Sequence, residues 1–121
     1  MKQLSLILLL LFSATCWSAD WKKGYAAFEG GDYATALKEW TPLAEQGDAV
    51  APFNLGQMYR NGQGVIQDNI YAHMWWNIAA SSGNKDAITN RDIVAERMTS
   101  FQLEKAQDLA RECVAKNYKG C

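Results

Sequence analysis

His73 is the only histidine of the chain, and it opens the stretch "HMWW" ahead of two adjacent tryptophans. One imidazole can act as a general base, but only with a nucleophile or carboxylate aimed at it. No motif in the sequence supplies one. Its helix position beside Met74, between packing positions, predicts a surface residue. Upstream, "NGQGV" at Asn61–Val65 has the glycine spacing of a phosphate loop. It lacks the Lys-Ser/Thr ending that grips phosphate and metal, and it does not follow a strand. Gly62 and Gly64 are expected instead to give the positive-φ geometry of a turn between helices. The carboxylates Glu29, Asp32, Glu39, Glu45, Asp48 and Asp68 are scattered singly, which predicts a solvated surface and no acid–base pair. Cys113, Cys121 and the distant His73 do not make a set of four metal ligands. The residues imply no catalytic group, no metal and no cofactor. Trp75 and Trp76 point about 100° apart on a helix, so they cannot enter one pocket side by side, and packing is the expected role of both.

The elements that position these residues come from a chain of 121 residues, enough for one small domain. Lys2 is followed by the apolar run Leu4–Phe12, broken only by Ser5, and then by the small residues Ser13, Ala14, Thr15, Ser18 and Ala19. That is the layout of a secretory signal peptide over residues 1–19, with an apolar run too short to span a bilayer. Cleavage after Ser18 sets Cys16 and Ser18 at the small-residue positions, whereas cleavage after Ala19 sets bulky Trp17 there. A lipid-bearing Cys16 is disfavoured, because "SAT" lacks a leucine three positions before it. Loss of Lys2 takes the 12 basic residues to 11 against 13 acidic ones, a net charge of −2 for residues 20–121. A near-neutral chain with no basic block excludes nucleic acid as an expected partner. No second apolar stretch approaches membrane length. Periplasmic or secreted localisation follows as the expectation. An even pair of cysteines in an exported chain then favours a Cys113–Cys121 disulfide, with a free thiol pair and a metal site as the alternatives. It would close a loop of about 9 residues and stabilise by about 2–3 kcal/mol on the chain-entropy account.

The exported part reads as helix throughout, with two prolines and no strand-like alternation. Asp32 is placed to cap a helix that stops at Gly47, with Tyr33, Ala36, Leu37, Trp40, Leu43 and Ala44 at helical spacing. Asp48 is expected to cap the next, with Pro52 tolerated in its first turn and Phe53, Leu55, Met58 and Tyr59 apolar. A helix over about 69–82 ends at Gly83. A fifth carries Ile88, Ile93, Val94 and Met98. Thr99 with Gln102 three residues on is a capping box, Met98 before it a possible staple, and the last helix bears the stripe Phe101, Ala106, Leu109, Ala110, Cys113 and Val114.

The chain also repeats. An offset of 36 carries Ala36 onto Ala72, Trp40 onto Trp76, Ala44 onto Ala80 and Gly47 onto Gly83, whereas Gly24 meets Gly56 at an offset of 32. The four-residue difference is the longer "NGQGVIQDNIY" loop. The segment "LGQMYRNGQGVIQDNIYAHMWWNIAASSGNKDA" resembles a Sel-1-like repeat, the α/α unit related to tetratricopeptide repeats. The residues that carry the resemblance are Ala51, Leu55, Gly56, Tyr59, Gly62, Gly64, Val65, Asp68, Ala72, Trp75, Trp76, Ala79, Ala80, Gly83 and Ala87.

The resemblance implies an all-α fold of α/α helical hairpins. About two units, over 21–47 and 48–83, would be followed by a C-terminal capping helical hairpin over about 85–118, all within a domain of residues 20–121. It implies Trp76 between the helices of its own repeat and Trp75 between successive units. It is similar in "RECVAKNYKGC" to the cysteine pairs of a cysteine-rich branch, which supports the same disulfide. In such stacks the first helix of each pair lines a concave face. Here that face would present Asn54, Gln57, Arg60 and Asn61 from the second unit, and Tyr25 and Glu29, with Phe28, from the first. The implied function is a protein- or peptide-binding adaptor of the cell envelope, monomeric and non-enzymatic, whose target is a short peptide or a partner's helix. The alternatives are an enzyme acting on cell-wall or β-lactam-like ligands, as proposed for cysteine-rich relatives, and a structural accessory of an envelope complex.

Overall fold

The computed structural model describes residues 19–121, and the expected leader, with Cys16, lies outside the described residues except for Ala19. Six helices follow in order: α1 Trp21–Glu29, α2 Tyr33–Glu45, α3 Val50–Asn61, α4 Asn69–Ser81, α5 Lys85–Ala95 and α6 Ser100–Ala115. Among the described residues there is no strand. No helix among them is long and apolar enough to cross a membrane.

Local chemistry sets most of the starts. Asp20 accepts from the backbone N–H groups of Lys22 and Lys23, Asp32 from Thr35, Asp68 from Ile70 and Tyr71, and Asn84 from Ala87. Each satisfies orphan donors of a first turn. Thr99 and Gln102 form the reciprocal capping box, with Gln102 N–H donating to Thr99 Oγ1 at 3.1 Å and Thr99 N–H to Gln102 Oε1 at 3.0 Å. The start of α3 differs from expectation by one residue. Ala49 occupies the cap position without a side-chain bond, and Asp48 serves from one step earlier by accepting from Val50 N–H at 3.2 Å.

The hairpins α1–α2 and α3–α4 share one packing device. Trp40 of α2 lies on Gly24 of α1 and donates its indole N–H to the Trp21 carbonyl at 3.3 Å. Trp76 of α4 lies on Gly56 of α3 and donates to the Phe53 carbonyl at 3.1 Å. In both, the missing side chain of the glycine is what lets the indole approach the helix backbone. The loop between α3 and α4 turns on Gly62 (φ 66°) and Gly64 (φ 73°), as expected. A Cβ on Gly64 would meet Tyr33 Cβ at 2.8 Å, so this loop also packs against α2.

The third hairpin departs from the pattern. The offset of 36 that carries buried Ala51 onto buried Ala87 carries Gly56 onto Asp92, so α5 has no bare backbone site for a tryptophan, and α6 has no tryptophan to offer. Accordingly α6 packs on α4, and α5 packs on another side of α4. The last two helices flank α4 and leave a cleft between them. One buried cluster joins Ala36, Trp40, Ala44, Leu55, Met58, Met74, Trp75, Ile78, Ala110 and Cys113, from α2, α3, α4 and α6. A second joins Ala72, Trp76, Ala79, Ala87 and Val94, from α4 and α5.

Four expectations are corrected by this arrangement. The α6 stripe is narrower than its apolar residues suggest: Ala106, Ala110 and Cys113 are buried, but Val114 is exposed and Phe101 is 75 % exposed. Ile88 and Ile93 of α5 are exposed, and only Ala87 and Val94 of that helix are buried. His73 is not a surface residue, because α5 and α6 cover its side of α4 and leave it 4 % exposed. Glu39 is not solvated either; it is buried under the start of α1, where it accepts from Asp20 N–H at 3.0 Å and pairs with Lys23 Nζ at 3.4 Å.

After α6 the chain reverses through Asn117 (φ 53°) and Tyr118 (φ 65°), and Cys113 and Cys121 are joined by a disulfide. Tyr118 N–H donates to the Cys113 carbonyl at 2.9 Å, and the Tyr118 ring packs against the first cluster.

Candidate binding groove

Gln57, Arg60 and Asn61 stand at i, i+3 and i+4 on α3 and so share one face of the helix. Their position is fixed from the opposite face, where Leu55, Gly56 and Met58 are buried against α4 and the core. Across from them α5 presents Asn90, Ile93 and Val94, held in place by the docking of Ala87 and Val94 on α4. Trp76 of α4 closes the space between the two helices. Together these seven residues surround a cavity of about 380 Å³. Three of its walls are amide side chains, one is a guanidinium, and the rest is apolar.

The electrostatics follow from a single charge. Arg60 is half-buried, carries no hydrogen bond or ion pair to any described residue, and faces a lining that holds no carboxylate. A guanidinium offers five N–H donors in a planar fork suited to a carboxylate, and the amides of Gln57, Asn61 and Asn90 can both donate to and accept from a peptide backbone. Ile93, Val94 and Trp76 supply apolar contact. The lining has no histidine, cysteine, serine or acidic group. Such a surface can bind and orient a chain.

The other expected residues stand elsewhere. Asn54 is half-buried, one turn before Gln57, and does not line the cavity. Tyr25 and Glu29 are exposed on α1, at the offset of 32 that relates them to Gln57 and Asn61, so they hold the same register in the first hairpin without reaching the cavity. Tyr25 stacks on Trp21 with centroids 5.3 Å apart and planes inclined by 7°, and both rings are exposed. Phe28 is drawn into packing against Tyr33 and Trp40. Asn90, Ile93, Val94 and Trp76 enter the lining although sequence reasoning did not select them. The signal that could have found them was the register, since the same 36-residue step places Ile93 where Gln57 stands one unit earlier.

The comparison with protein families converges on this segment. Residues 49–84 match the model of the Sel1 repeat. The chain contains a Sel1 repeat. No curated protein and no solved structure matches it. The matched Sel1 repeat spans α3, its glycine loop and α4, ending at the cap residue of α5, and so contributes Gln57, Arg60, Asn61 and Trp76 to the cavity. The α1–α2 hairpin lies outside the matched residues but repeats the glycine–tryptophan contact of the Sel1 unit. Sel1 repeats generally mediate protein–protein interaction.

Proposed function

We propose that this Sel1-repeat protein is an exported, monomeric adaptor of the cell envelope that binds a short peptide or the end of a partner's helix, without turnover. The single observation that carries the reading is the α3–α5 cavity, with an uncompensated Arg60 among three amides and an apolar floor. Its size suits a few residues of a ligand, at the small end of ligand sites of roughly 300–1,000 Å³. Asn54, Tyr25 and Glu29 extend the same face toward the first hairpin and would meet residues of the ligand beyond the cavity. The layout of residues 1–19 and the Cys113–Cys121 disulfide support export.

The test is selection of peptides on residues 20–121 from a random display library, followed by calorimetric titration of the selected sequences. Arg60→Ala should weaken binding by about tenfold or more, the value of a charge-assisted hydrogen bond of roughly 1.5–3 kcal/mol. Selected peptides whose affinity is unchanged by Arg60→Ala and by Asn61→Ala would contradict the assigned face.

A further inference from the structure

The cleft left between α5 and α6 differs in chemistry from the α3–α5 groove. It encloses about 320 Å³ and is lined by His73 and Asn77 of α4, Arg91, Asp92 and Ala95 of α5, and Leu103 and Gln107 of α6. His73 is 4 % exposed, and its buried Nδ1 has no hydrogen-bond partner among the described residues. An unpaired buried nitrogen of this kind is destabilising unless something meets it, which makes it a pointer to a ligand.

The remaining polar groups form a set with surplus donors. Arg91 Nη1 donates to Asn77 Oδ1 at 3.0 Å, and Arg91 Nε donates to Asp92 Oδ1 at 3.2 Å. These bonds consume the acceptor of Asn77 and leave its NH₂ group without a partner among the described residues, together with Arg91 Nη2. Gln107 adds a further amide at the rim. We propose that this cleft is a second binding site, and that it takes a small monocarboxylate through Arg91, Asn77 and His73.

Three features select that class. A carboxylate brings two acceptor oxygens to a site rich in N–H donors. Asp92 stands at the edge of the cleft with its second oxygen free, so a doubly charged phosphate would meet a like charge where a monoanion can turn away from it. Ala95 and Leu103 give an apolar wall for a short hydrocarbon or alanine-like side chain. The charged groups facing His73 are Arg91 and Asp92 of α5, while α6 faces it with Leu103 and Gln107. The ordinary tendency of His73 to stay neutral, caused first by burial and then by Arg91, would be opposed by a bound anion.

A carboxylate can come from a free organic acid or from the end of a peptide chain, and the experiment separates them. The untagged chain has one histidine, so the ring signals of His73 are unique in a proton–nitrogen spectrum. Sodium butyrate, N-acetyl-alanyl-alanine and its C-terminal amide are titrated in turn. A saturable shift of the His73 ring with butyrate assigns free acids, and one with the peptide acid alone assigns chain ends; either result supports the site, provided the amide gives none. Arg91→Gln and Asn77→Asp should each weaken the response by about tenfold or more, with folding verified by circular dichroism, and Arg60→Gln should leave it unchanged. If one variant fails to fold, the other carries the test. Shifts that grow linearly without saturation, an amide as effective as the acid, or full affinity in the folded variants would overturn the proposal.

Discussion

The indole of Trp76 occupies the space that a side chain on Gly56 would need. A Cβ built on Gly56 would lie 2.4 Å from Trp76 Nε1, the same nitrogen that donates to the Phe53 carbonyl. Gly24 and Trp40 repeat the relationship at the same 2.4 Å in the preceding hairpin. The hairpin geometry of this protein is thus set by a pair of residues, one small and one large, and the third hairpin, which lacks the pair, does not close in the same way.

Gly56→Ala should therefore destabilise the chain, although alanine is the better helix former by about 1 kcal/mol. Overpacking of this kind costs about 1–3 kcal/mol, and here the neighbour is a buried indole with its N–H engaged, so the net change is a loss. Trp76→Leu alone should also cost stability through lost packing. The double variant Gly56→Ala/Trp76→Leu should be more stable than the sum of the two changes, because the added methyl then has room. Urea denaturation of the four proteins gives the coupling, and strict additivity would contradict the contact.

Stability should fall on acidification in two stages. His73 titrates below its ordinary 6.5, mainly because burial disfavours the imidazolium and secondly because Arg91 is near. A histidine with a lowered folded pKa leaves stability fully present above 6.5, and it is lost as pH falls below that value, where the unfolded chain takes up the proton first. Glu39 titrates below its ordinary 4.5, chiefly because Asp20 N–H donates to the carboxylate. Its contribution is present above 4.5 and is lost as pH falls through the lowered folded value. Melting midpoints measured from pH 8 to pH 3 should show both stages. His73→Gln should remove the first and keep the second, and a profile that stays flat from pH 7 to pH 5 in the wild-type chain would contradict the burial of His73.

Reduction of Cys113–Cys121 should cost about 2–3 kcal/mol and lower the melting midpoint by roughly 10–20 °C. The loss acts on the α6 end, because the disulfide holds Tyr118 against the main buried cluster. Amide exchange should then accelerate in α6 and in the tail before it does in α3. A midpoint unchanged by reductant, with free thiols verified by mass, would contradict this role.

What the sequence disclosed was local or repeated. The caps at Asp32 and Thr99, the turn at Gly62 and Gly64, and the echo of Trp40 in Trp76 each depend on residues a few positions apart or on an internal copy. The burial of His73 was not legible, because it depends on α6 lying on α4, and the α6 stripe does not indicate which neighbour it meets. Glu39 was hidden for a similar reason: its partner is a backbone N–H at the start of α1, which leaves no mark in composition. In the groove, Gln57, Arg60 and Asn61 stood out once the packing residues of α3 were set aside, but their facing wall of Asn90, Ile93 and Val94 depends on how α5 leans on α4.

The most direct measurement is site-specific photocrosslinking in the cell envelope. A benzophenone side chain placed at Ile93, an exposed apolar residue of the groove, keeps the polar set intact and should give one dominant adduct with a protein or peptide. That adduct should be lost with Arg60→Ala, and the same probe at exposed Glu112 on α6 should not give it. Identical adducts from Ile93 and Glu112, or an Ile93 adduct undiminished by Arg60→Ala, would contradict the assignment of the α3–α5 groove as the binding face.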